Sequence, residues 1–589
     1  MKDILKYTLG CFLAMLIMGA IIFVSFLSMI AGMAAMDSTT KPVQKGSILH
    51  IQVAGVLDER TQDSNPFAAL IGNSNIASQG LDQLKTALRV AADNDGIVGL
   101  YLEGGVPSAD YACLQELHQA LLQFKKSGKF IVSYADQYTQ GSYYLCSVAD
   151  KVLINPEGMI DWHGIASQPI FFKELLEKLG VKVQVFKVGT YKSAVEPYIL
   201  TEMSAANREQ VTSFITDIWQ NIVNDVAKSR KLTVEQLNDY ADQYATFQGA
   251  DWYKARHLVD DVCYIDGTRD ILRKMAKTDE LHLVSPADVA ALDDKADESD
   301  KVAIYYATGD IVDEVAKTDL FSQQSQIVGQ TVVDDLDELA NDDDVKAVVL
   351  RINSGGGSAY ASEQMWRAIQ LLKKKKPVVV SMSGMAASGG YYMSCGANYI
   401  FADATTLTGS IGIFGMVPDV SGLLTGKLGL HFDMVKTNKS ADFGTMARAF
   451  TDEEGQAMQA YVERGYKLFL SRVAAGRHKT TAQIDSIGQG RVWTGQQALA
   501  IGLVDKLGTL EDAVAYAAKL AKVKKYSTAD YPAPASWMDS MKSDLEGDSY
   551  LERKARLALG EYYAPLTLLP QLQAGNYLQA RIPFAPNLK

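Results

Sequence analysis

Apolar and polar positions follow two patterns along most of the chain, one typical of strands and one typical of helices. Short apolar runs such as "KAVVLRI" (346–352) and "PVVVSM" (377–382) predict buried strands. Between them, "ASEQMWRAIQLLKKKK" (361–376) has the spacing of an amphipathic helix. Because strands that alternate with helices form parallel sheets with right-handed crossovers, the predicted fold class is α/β.

The N-terminal segment has a different pattern. No charged residue occurs from Tyr7 to Met36, and this apolar stretch exceeds the ~20 residues that cross a bilayer. A secretory signal peptide has a shorter apolar region of ~7–15 residues, so an uncleaved anchor is favoured. Lys2 and Lys6 precede the span and place the short N-terminus in the cytoplasm, although Lys41 and the lysine at 45 weaken that signal. We expect everything from about residue 45 to lie outside the cytoplasm.

The pattern of strands and helices occurs twice. "GSYYLCSVADKVLINPEGMIDWHGI" matches "GGYYMSCGANYIFADATTLTGSIGI", which places Tyr143 opposite Tyr391, 248 positions apart. Further matches are "HIQVAGVLD" with "IYYATGDIVD" and "FQGADWYKARHLVDDV" with "WTGQQALAIGLVDKLG". Such internal repeats indicate two copies of one folding unit.

The repeat defines the expected domain organisation. We predict a membrane anchor over 1–45, a first repeat over 46–290, a charged linker over 291–300, a second repeat over 301–525 and a C-terminal extension over 526–589. At 589 residues the chain is long enough for more than one core.

Composition narrows the function only slightly. The net charge of −12 argues against nucleic acid as a partner, because phosphate binding relies on clustered Lys and Arg. The one basic run, 373–376, follows a helical pattern and is interpreted as a solvated loop. Five cysteines without CxxC spacing indicate neither a disulfide framework nor a zinc site.

The two repeats differ where chemistry is expected. Ser388 falls opposite Gln140, and the glycine turn "NSGGGS" (353–358) falls opposite "GVPSAD". Glycine-rich turns leave backbone N–H groups free, as an oxyanion hole requires. The candidate donors are the N–H groups of Gly356 and Gly389. The alternative is that these glycines only allow tight packing of strand and helix.

A serine nucleophile needs a base to accept its proton. The first histidine after Ser388 is His431, in the strand-like segment "LGLHFDMV" (428–435), where a structural histidine is the better interpretation. A lysine serves if burial lowers its pKa. Lys192 lies among small and apolar residues in "KVGTYKSAVEPYI", and Lys439 matches it in the second repeat. Each repeat therefore has a lysine, but only the second has the serine.

The motifs "NSGGGSAYASE", "MAASGGYY", "TLTGSIGIFG", "GTYKSAVEP" and "VWTGQQALAIGLVDKLG" closely resemble the signal peptide peptidase A (protease IV) family in its long, tandem-repeat form. The resemblance implies two Clp protease/crotonase-like repeats of parallel-sheet spiral fold behind the anchor. It implies a serine endopeptidase with Ser388 as nucleophile, Lys192 as base and Ser410 as the residue that orients the lysine. Gly355 stands where the family usually has proline.

The resemblance also carries expectations about partners and location. It implies a single-pass protein of the inner (cytoplasmic) membrane with its catalytic part on the periplasmic, extracytoplasmic side. The expected substrates are cleaved signal peptides left in the membrane. The expected assembly is a homo-oligomeric, tetrameric ring that alternates first and second repeats, in which Ser388 meets Lys192 and Lys439 meets Gln140. The sequence leaves open whether Ser388 and Lys192 pair within one subunit or between two.

Two other functions stay open at this point. A crotonase-type acyl-CoA hydratase or hydrolase would use the same fold without needing Ser388 and Lys192 together. An inactive membrane scaffold fits the first repeat alone. No nucleotide or metal motif is present, so we expect no cofactor and no metal.

Overall fold

The structure is a computed structural model, and it describes residues 42–61, 78–294, 298–314, 326–533 and 578–581, with seven isolated positions between 10 and 24. The predicted membrane span lies almost entirely outside these residues. Among the described residues, no helix is both long and apolar enough to cross a bilayer.

The first half of the described chain alternates strands and helices as its pattern predicts. Its strands are β1 (Ser47–Asp58), β2 (Ser78–Gly80), β3 (Ile97–Ser108), β4 (Phe130–Tyr138), β5 (Lys151–Ile160), β6 (Lys182–Lys187), β7 (Asp261–Val262) and β8 (Leu283–Val284). Its helices are α1 (Leu81–Asp93), α2 (Tyr111–Lys125), α3 (Gln140–Cys146), α4 (Lys173–Leu179), α5 (Glu196–Ile199), α6 (Ala205–Arg230), α7 (Val234–Asp242), α8 (Ala250–Ala255), α9 (Ile265–Ala276) and α10 (Pro286–Ala290). A parallel sheet forms in the order β2-β1-β3-β4-β5-β7, and β8 pairs with the start of β1.

The second half repeats this arrangement. Its strands are β9 (Lys301–Thr308), β10 (Asp310–Val312), β11 (Gln326–Val328), β12 (Val345–Ser354), β13 (Gly356–Ser358), β14 (Val378–Ala387), β15 (Tyr399–Ala402), β16 (Leu407–Gly409), β17 (Phe414–Asp419), β18 (Val492–Thr494), β19 (Lys506–Leu507), β20 (Ser527–Tyr531) and β21 (Leu578–Arg581). Its helices are α11 (Gly329–Asn341), α12 (Ala359–Leu372), α13 (Gly389–Ser394), α14 (Asp452–Gly476), α15 (Thr481–Ile487), α16 (Gly495–Ile501) and α17 (Leu510–Ala521). A second sheet has the order β18-β16-β14-β12-β9-β20; β15 pairs with β14, and β19 pairs with β15.

Equivalent side chains make equivalent contacts in the two halves. The hydroxyl of Tyr143 in α3 donates to the Leu258 carbonyl at 2.7 Å. The hydroxyl of Tyr391 in α13 donates to the Leu503 carbonyl at 2.8 Å. Both phenols are buried, so each needs such an acceptor. The tandem repeat and its 248-residue spacing are confirmed at this position.

A third sheet joins the two halves. Its order is β11-β10-β13-β21-β17-β6, so β6 of the first half pairs with β17 of the second. The pairing is antiparallel and runs from Lys187 opposite Phe414 to Lys182 opposite Asp419. The loop that follows β6 and contains Lys192 is thereby delivered into the second half.

Buried ion pairs also join the halves. The Arg351 guanidinium on β12 lies 2.8 Å from a carboxylate oxygen of Glu59 and 2.8 Å from one of Glu116, both in the first half. All three side chains are almost fully shielded from solvent. Burial alone would raise the pKa of the Glu116 carboxyl, but the neighbouring charges of Arg351 and Lys85 favour the ionised form and lower that pKa to about 2. Charges buried this deeply depend on staying paired.

The segment 428–435, which resembles a strand in sequence, is not a strand in the structure. Its equivalent in the first repeat, β6, forms a ladder because β17 lies beside it. Residues 429–434 have no strand partner in the described part of the chain. Their apolar side chains are exposed, including Leu430 and Phe432 at about half of their surface. The residue types are those of a strand, but a strand also needs a neighbouring strand to pair with, and this segment has none among the described residues.

The basic run 373–376 is only partly a solvated loop. It follows α12 directly, and its two middle lysines are exposed. Lys373 donates to the Gly396 carbonyl at 2.9 Å, and Lys376 donates to the Leu339 carbonyl at 2.6 Å. The interpretation as a solvated loop is therefore wrong for these two lysines, which satisfy backbone carbonyls.

Candidate active site

Ser388 occupies a sharp turn between β14 and α13. Its φ of +54° lies in a region that residues with a side chain rarely adopt. The Ser388 N–H donates to the Gly409 carbonyl at 2.8 Å, which helps to fix the turn. A Cβ at Gly390 would lie 2.9 Å from the Ser354 carbonyl oxygen, so the helix start needs glycine there. Small residues in "MAASGGYY" thus allow the hydroxyl to stand at a strained strand-to-helix turn.

Lys192 reaches Ser388 within one chain. Its Nζ lies 2.9 Å from Ser388 Oγ and 3.0 Å from Ser410 Oγ, and it donates to the Ser410 carbonyl at 3.3 Å. All three residues are completely buried. The structure therefore brings together the predicted nucleophile, base and orienting serine. In this structure Ser388 and Lys192 pair within one chain.

The surroundings of the Lys192 amine disfavour its charged form. Burial lowers the pKa of this amine well below its ordinary value, because the low-polarity interior solvates an ammonium poorly. A neutral amine has one lone pair and two N–H groups. It can accept a proton from one hydroxyl while it donates to two other oxygens, which matches the three contacts of Nζ.

Two glycines that sequence reasoning missed enclose Lys192. A Cβ at Gly490 would lie 2.6 Å from the Lys192 backbone nitrogen, and one at Gly412 would lie 3.1 Å from Lys192 Cδ. Gly490 also has a φ of +79°. Gly412 lies in the motif "TLTGSIGIFG" that also contains Ser410, whereas no motif marks Gly490, and only the contact across the two repeats shows how both glycines pack on Lys192.

The two candidate oxyanion donors lie on neighbouring segments. Gly389 is the first residue of α13, where a helix N–H has no acceptor within the helix. Gly356 is buried, has a φ of +99°, and its N–H donates to Ser354 Oγ at 3.1 Å. The Gly356 N–H is therefore occupied in this structure and has to exchange that bond before it serves another oxygen.

The first repeat has the same backbone framework but different side chains at the positions of Ser388 and Ser410. Gln140 replaces the serine, and its side-chain carbonyl accepts from the Gly164 N–H at 3.0 Å while its amide donates to the Gly164 carbonyl at 3.2 Å. Trp162 replaces Ser410, and its indole N–H donates to the Leu237 carbonyl at 2.9 Å. In the first repeat an amide and an indole therefore stand at the positions that Ser388 and Ser410 occupy in the second.

The other two candidate bases lie far from such a site. Lys439 is 81% exposed at its side chain and forms an ion pair with Glu453. His431 lies in the exposed segment 425–441. Neither is buried with Ser388, so the structure favours Lys192 among the bases that the sequence offered.

One cavity of the described chain does not include Ser388 in its lining. Its volume is about 980 Å³, and it lies between the two repeats on the side of Gln140, Gly141 and Tyr111. Beside Ser388, β21 lies between β13 and β17, with Arg581 opposite Gly356. Residues 578–581 thus occupy the groove next to the candidate oxyanion turn.

Comparison with known protein families gives a match in each repeat. The model for Peptidase family S49 matches residues 123–281 and 370–524, one match in each repeat. The model for Clp protease matches residues 307–405. The two S49 matches together cover more than half of the chain and agree with the tandem repeat.

Relatives that match most of this chain are also named as proteases. "Protease 4" of Salmonella typhi is 36% identical over 560 residues, which cover 92% of this chain and 88% of that protein. "Protease 4" of Haemophilus influenzae is 34% identical over 541 residues, covering 87% and 86%. "Serine protease SPPA, chloroplastic" of Arabidopsis thaliana is 29% identical over 514 residues, covering 85% and 74%. The chain therefore belongs to peptidase family S49, in the protease 4/SPPA group, and is a serine peptidase.

Proposed function

We propose that this chain is a membrane-anchored endopeptidase in which Ser388 attacks the peptide carbonyl, Lys192 is the general base and Ser410 orients the lysine. The observation that carries the proposal is the 2.9 Å separation of Lys192 Nζ and Ser388 Oγ in a fully buried site. A hydroxyl beside a neutral amine is an activated nucleophile.

The proton path follows from the contacts of Nζ. The neutral amine accepts the Ser388 proton as Oγ bonds to the carbonyl carbon, and its two N–H groups keep their bonds to Ser410. The resulting ammonium then gives its proton to the departing amine. Water enters next, loses a proton to the Lys192 amine and attacks the acyl-serine ester. Lys192 then returns the proton to Ser388 Oγ as the acid product leaves, which restores Ser388.

The oxyanion that forms during the attack needs fixed donors. Gly389 N–H follows the nucleophile directly, and Gly356 N–H becomes available once it leaves Ser354 Oγ. A peptide that enters as an antiparallel strand between β13 and β17 would take the place of residues 578–581. Its carbonyl would then lie beside the glycine turn, as oxyanion stabilisation requires.

The substrates that fit this reading are cleaved signal peptides. The apolar stretch from Tyr7 to Met36 supports an anchor in the inner membrane, with the catalytic part on the periplasmic side. Met385, Ala386 and Ala387 precede the nucleophile and offer no charge to a substrate side chain. Small or apolar side chains before the scissile bond are therefore expected, as in the apolar stretch of a signal peptide.

We further propose that copies of the chain assemble into a ring, with four subunits as the expected number. Within one chain, β6 of the first repeat pairs with β17 of the second. The equivalents of these two strands, 429–434 and 166–171, have no strand partner among the described residues. Val435, next to the first of them, is 98% exposed.

Pairing 429–434 of one copy with 166–171 of the next would repeat the β6·β17 contact. Because the two surfaces differ, the contact is head-to-tail, and such contacts form a ring when the rotation from one copy to the next closes. Each Lys439 would then meet the Gln140 of its neighbour, where there is no serine to activate.

The test of the proposed function is covalent labelling of the full-length protein in detergent with a fluorophosphonate probe. We expect one labelled site, Ser388, found by mass spectrometry of the digested protein, and no labelling of Ser388→Ala. Lys192→Ala should abolish labelling, whereas Lys439→Ala should be labelled at the wild-type rate.

Three results would contradict the proposal. Labelling of a different serine in Ser388→Ala would refute the nucleophile. Normal labelling of Lys192→Ala would refute the base. Turnover of acyl-CoA esters without turnover of peptides would support the crotonase-type alternative.

A further inference from the structure

Gln210 lies in the second turn of α6, in the first repeat, and is 1% exposed. Its side-chain amide donates to the Tyr191 carbonyl at 3.0 Å and to Ser193 Oγ at 2.8 Å. These two residues flank Lys192 on either side. A single buried amide therefore holds both ends of the backbone turn that carries the lysine.

The other end of the same amide bonds to the second repeat. The side-chain carbonyl of Gln210 accepts from the Val492 N–H at 3.1 Å. Val492 is the first residue of β18 and pairs with Gly409 at the end of β16. The neighbouring Arg491 carbonyl accepts from the Ser410 N–H at 2.7 Å. Gln210 thus ties the lysine turn to the strand that fixes Ser410.

A chain of buried polar groups orients Gln210 itself. Its amide also lies 3.1 Å from Asn207 Oδ1, and Asn207 donates to a Glu196 carboxylate oxygen at 2.9 Å. The other Glu196 oxygen accepts from Ser204 Oγ at 2.6 Å. Because every member has a partner, the network holds one orientation of the Gln210 amide.

The second repeat lacks this network. Ser204 and Thr451 are the N-caps of the two long helices, α6 and α14, so counting from them places Ala457 opposite Gln210. The same count places Glu454 opposite Asn207. The lysine of that repeat, Lys439, is exposed. The amide is therefore present only in the repeat whose lysine is buried beside a serine.

We propose that Gln210 is a positioning residue that keeps Lys192 Nζ between Ser410 and Ser388 by clamping the lysine turn of the first repeat to β18 of the second. The inference rests on the proposed function, since it assigns Gln210 to the alignment of the proposed base. Gln210 does not touch the reacting atoms and acts only through the backbone on either side of Lys192.

The charged groups near the turn are few. Lys187 donates to the Lys192 carbonyl at 3.4 Å, and Glu196 lies within the network above. Glu209 accepts from the Tyr191 hydroxyl and pairs with Arg491. Replacing Gln210 by an uncharged residue leaves all of them in place. A change in pH dependence then reports the surroundings of the Lys192 amine.

The experiment compares Gln210→Met, Gln210→Glu and Gln220→Met in the full-length protein. Methionine keeps the length of glutamine but loses both polar atoms, and glutamate keeps the acceptor for Val492 but loses the donor. Gln220 is an exposed glutamine on the same helix and is the matched control. The measurements are kcat and KM on a peptide, the pH dependence of Ser388 labelling, and the thermal unfolding midpoint.

For Gln210→Met and Gln210→Glu we expect kcat to fall by ~10–100-fold with a much smaller change in KM, because a shift of about 1 Å in a catalytic group costs on the order of 10²-fold. The acid limb of the labelling profile should move to higher pH. In Gln210→Met the reason is that a loosened lysine becomes hydrated and binds its proton more tightly, and in Gln210→Glu the added carboxylate also favours the charged amine. Gln220→Met should match the wild type in all three measurements.

Two outcomes would overturn the inference. One is a wild-type kcat and acid limb in both Gln210 variants. The other is a loss of activity that follows a lower unfolding midpoint while the acid limb stays where it is, which indicates a purely structural role. If Lys192→Ala still labels normally, the proposed base itself is wrong, and that result is independent of the Gln210 variants.

Discussion

The two repeats show how one framework can carry a candidate nucleophile and base in one repeat and different side chains at the equivalent positions of the other. Tyr143 and Tyr391 make the same buried hydrogen bond in each repeat. Close to them, Ser388 faces Lys192, whereas Gln140 bonds to the backbone of Gly164. The fold therefore constrains the tyrosines, while the residue at the strand-to-helix turn changes with little effect on the surroundings.

The lysines show the complementary difference. Lys192 is buried because β6 pairs with β17, and Lys439 is exposed where the equivalent segment has no partner in the described chain. The first repeat thus contributes the proposed base and the second contributes the proposed nucleophile. A complete site requires one part from each repeat.

The largest effect should come from removing the hydroxyl that distinguishes the repeats. Ser388→Ala should lower peptide turnover by on the order of 10⁴–10⁶-fold, because loss of a nucleophile removes the covalent route. Gln140→Ala, the equivalent change in the first repeat, should keep turnover. Peptide hydrolysis and circular dichroism of both variants provide the measurement. Loss of peptide turnover in Gln140→Ala with normal folding would contradict this difference between the repeats.

Lys192→Ala should be as inactive as Ser388→Ala, and the double variant should be no worse, because groups that act as a unit are not additive. Lys439→Ala should retain most of the activity. Steady-state kinetics of the three variants measure this. If Lys439→Ala were the inactive variant, the pairing of Lys192 with Ser388 would be wrong.

The pH dependence tests the same lysine. Its pKa is lowered, so the amine is neutral above that pKa and activity should fall as the pH drops through it. The pKa in the unfolded chain is the ordinary one, so the unfolded chain binds more protons between the two values. Stability should therefore also decrease as the pH falls through this range, and Lys192→Met should remove that part of the decrease.

The third prediction compares the stability cost of replacing Arg351 with that of replacing Glu103, which occupies the equivalent position in the first repeat. Arg351→Met leaves Glu59 without its buried partner and leaves Glu116 with Lys85 alone, and it should cost about 3–5 kcal/mol in the free energy of unfolding. Glu103 pairs with His50 at the surface, so Glu103→Gln should cost about 0–1 kcal/mol. Urea unfolding measures both, and equal costs would show that the ion pairs between the repeats do not depend on burial.

The fourth test concerns residues 429–434, which are exposed, whereas their equivalent in the first repeat, β6, is paired with β17. Phe432→Glu places a charge on the apolar segment proposed to pair with the next subunit, and it should dissociate the assembly because burying an unpaired charge is unfavourable. Sedimentation velocity measures the assembly. Fluorophosphonate labelling of Ser388 should persist, since Lys192 and Ser388 belong to one chain. Labelling that disappears together with the assembly would show that the site needs two subunits.

The smallest effect should come from returning a hydroxyl to the first repeat. In a Ser388→Ala background, Gln140→Ser should give no measurable turnover, because Trp162 stands in place of Ser410 and the glycine turn is missing. One missing oxyanion donor alone costs on the order of 10²–10³-fold in rate. The measurement is peptide hydrolysis by the double variant, and wild-type-like turnover would show that the first repeat still has a complete site.

The sequence predicted the α/β class, the tandem repeat and Ser388 as a candidate nucleophile, because local patterns and the difference between two aligned copies carry that information. The choice of Lys192 as base and of Ser410 as its orienting residue came from the family resemblance. It did not predict that residues 428–435 lack strand structure, since a strand depends on a neighbour and not only on its own residues. Gly490 and Gln210 were missed for a related reason. Their contacts with Lys192 and its turn join residues that are far apart in sequence, and no local motif marks them.

The distance along the chain between the two halves of the site has a consequence for biosynthesis. Lys192 and Ser388 are 196 residues apart, and a ribosome that adds about 5–20 residues per second needs roughly 10–40 s to cover that interval. During this time the emerging polypeptide has an amine but no hydroxyl to activate. A peptidase whose proposed base and nucleophile are this far apart in sequence has no complete dyad until both segments have been synthesised and have folded together.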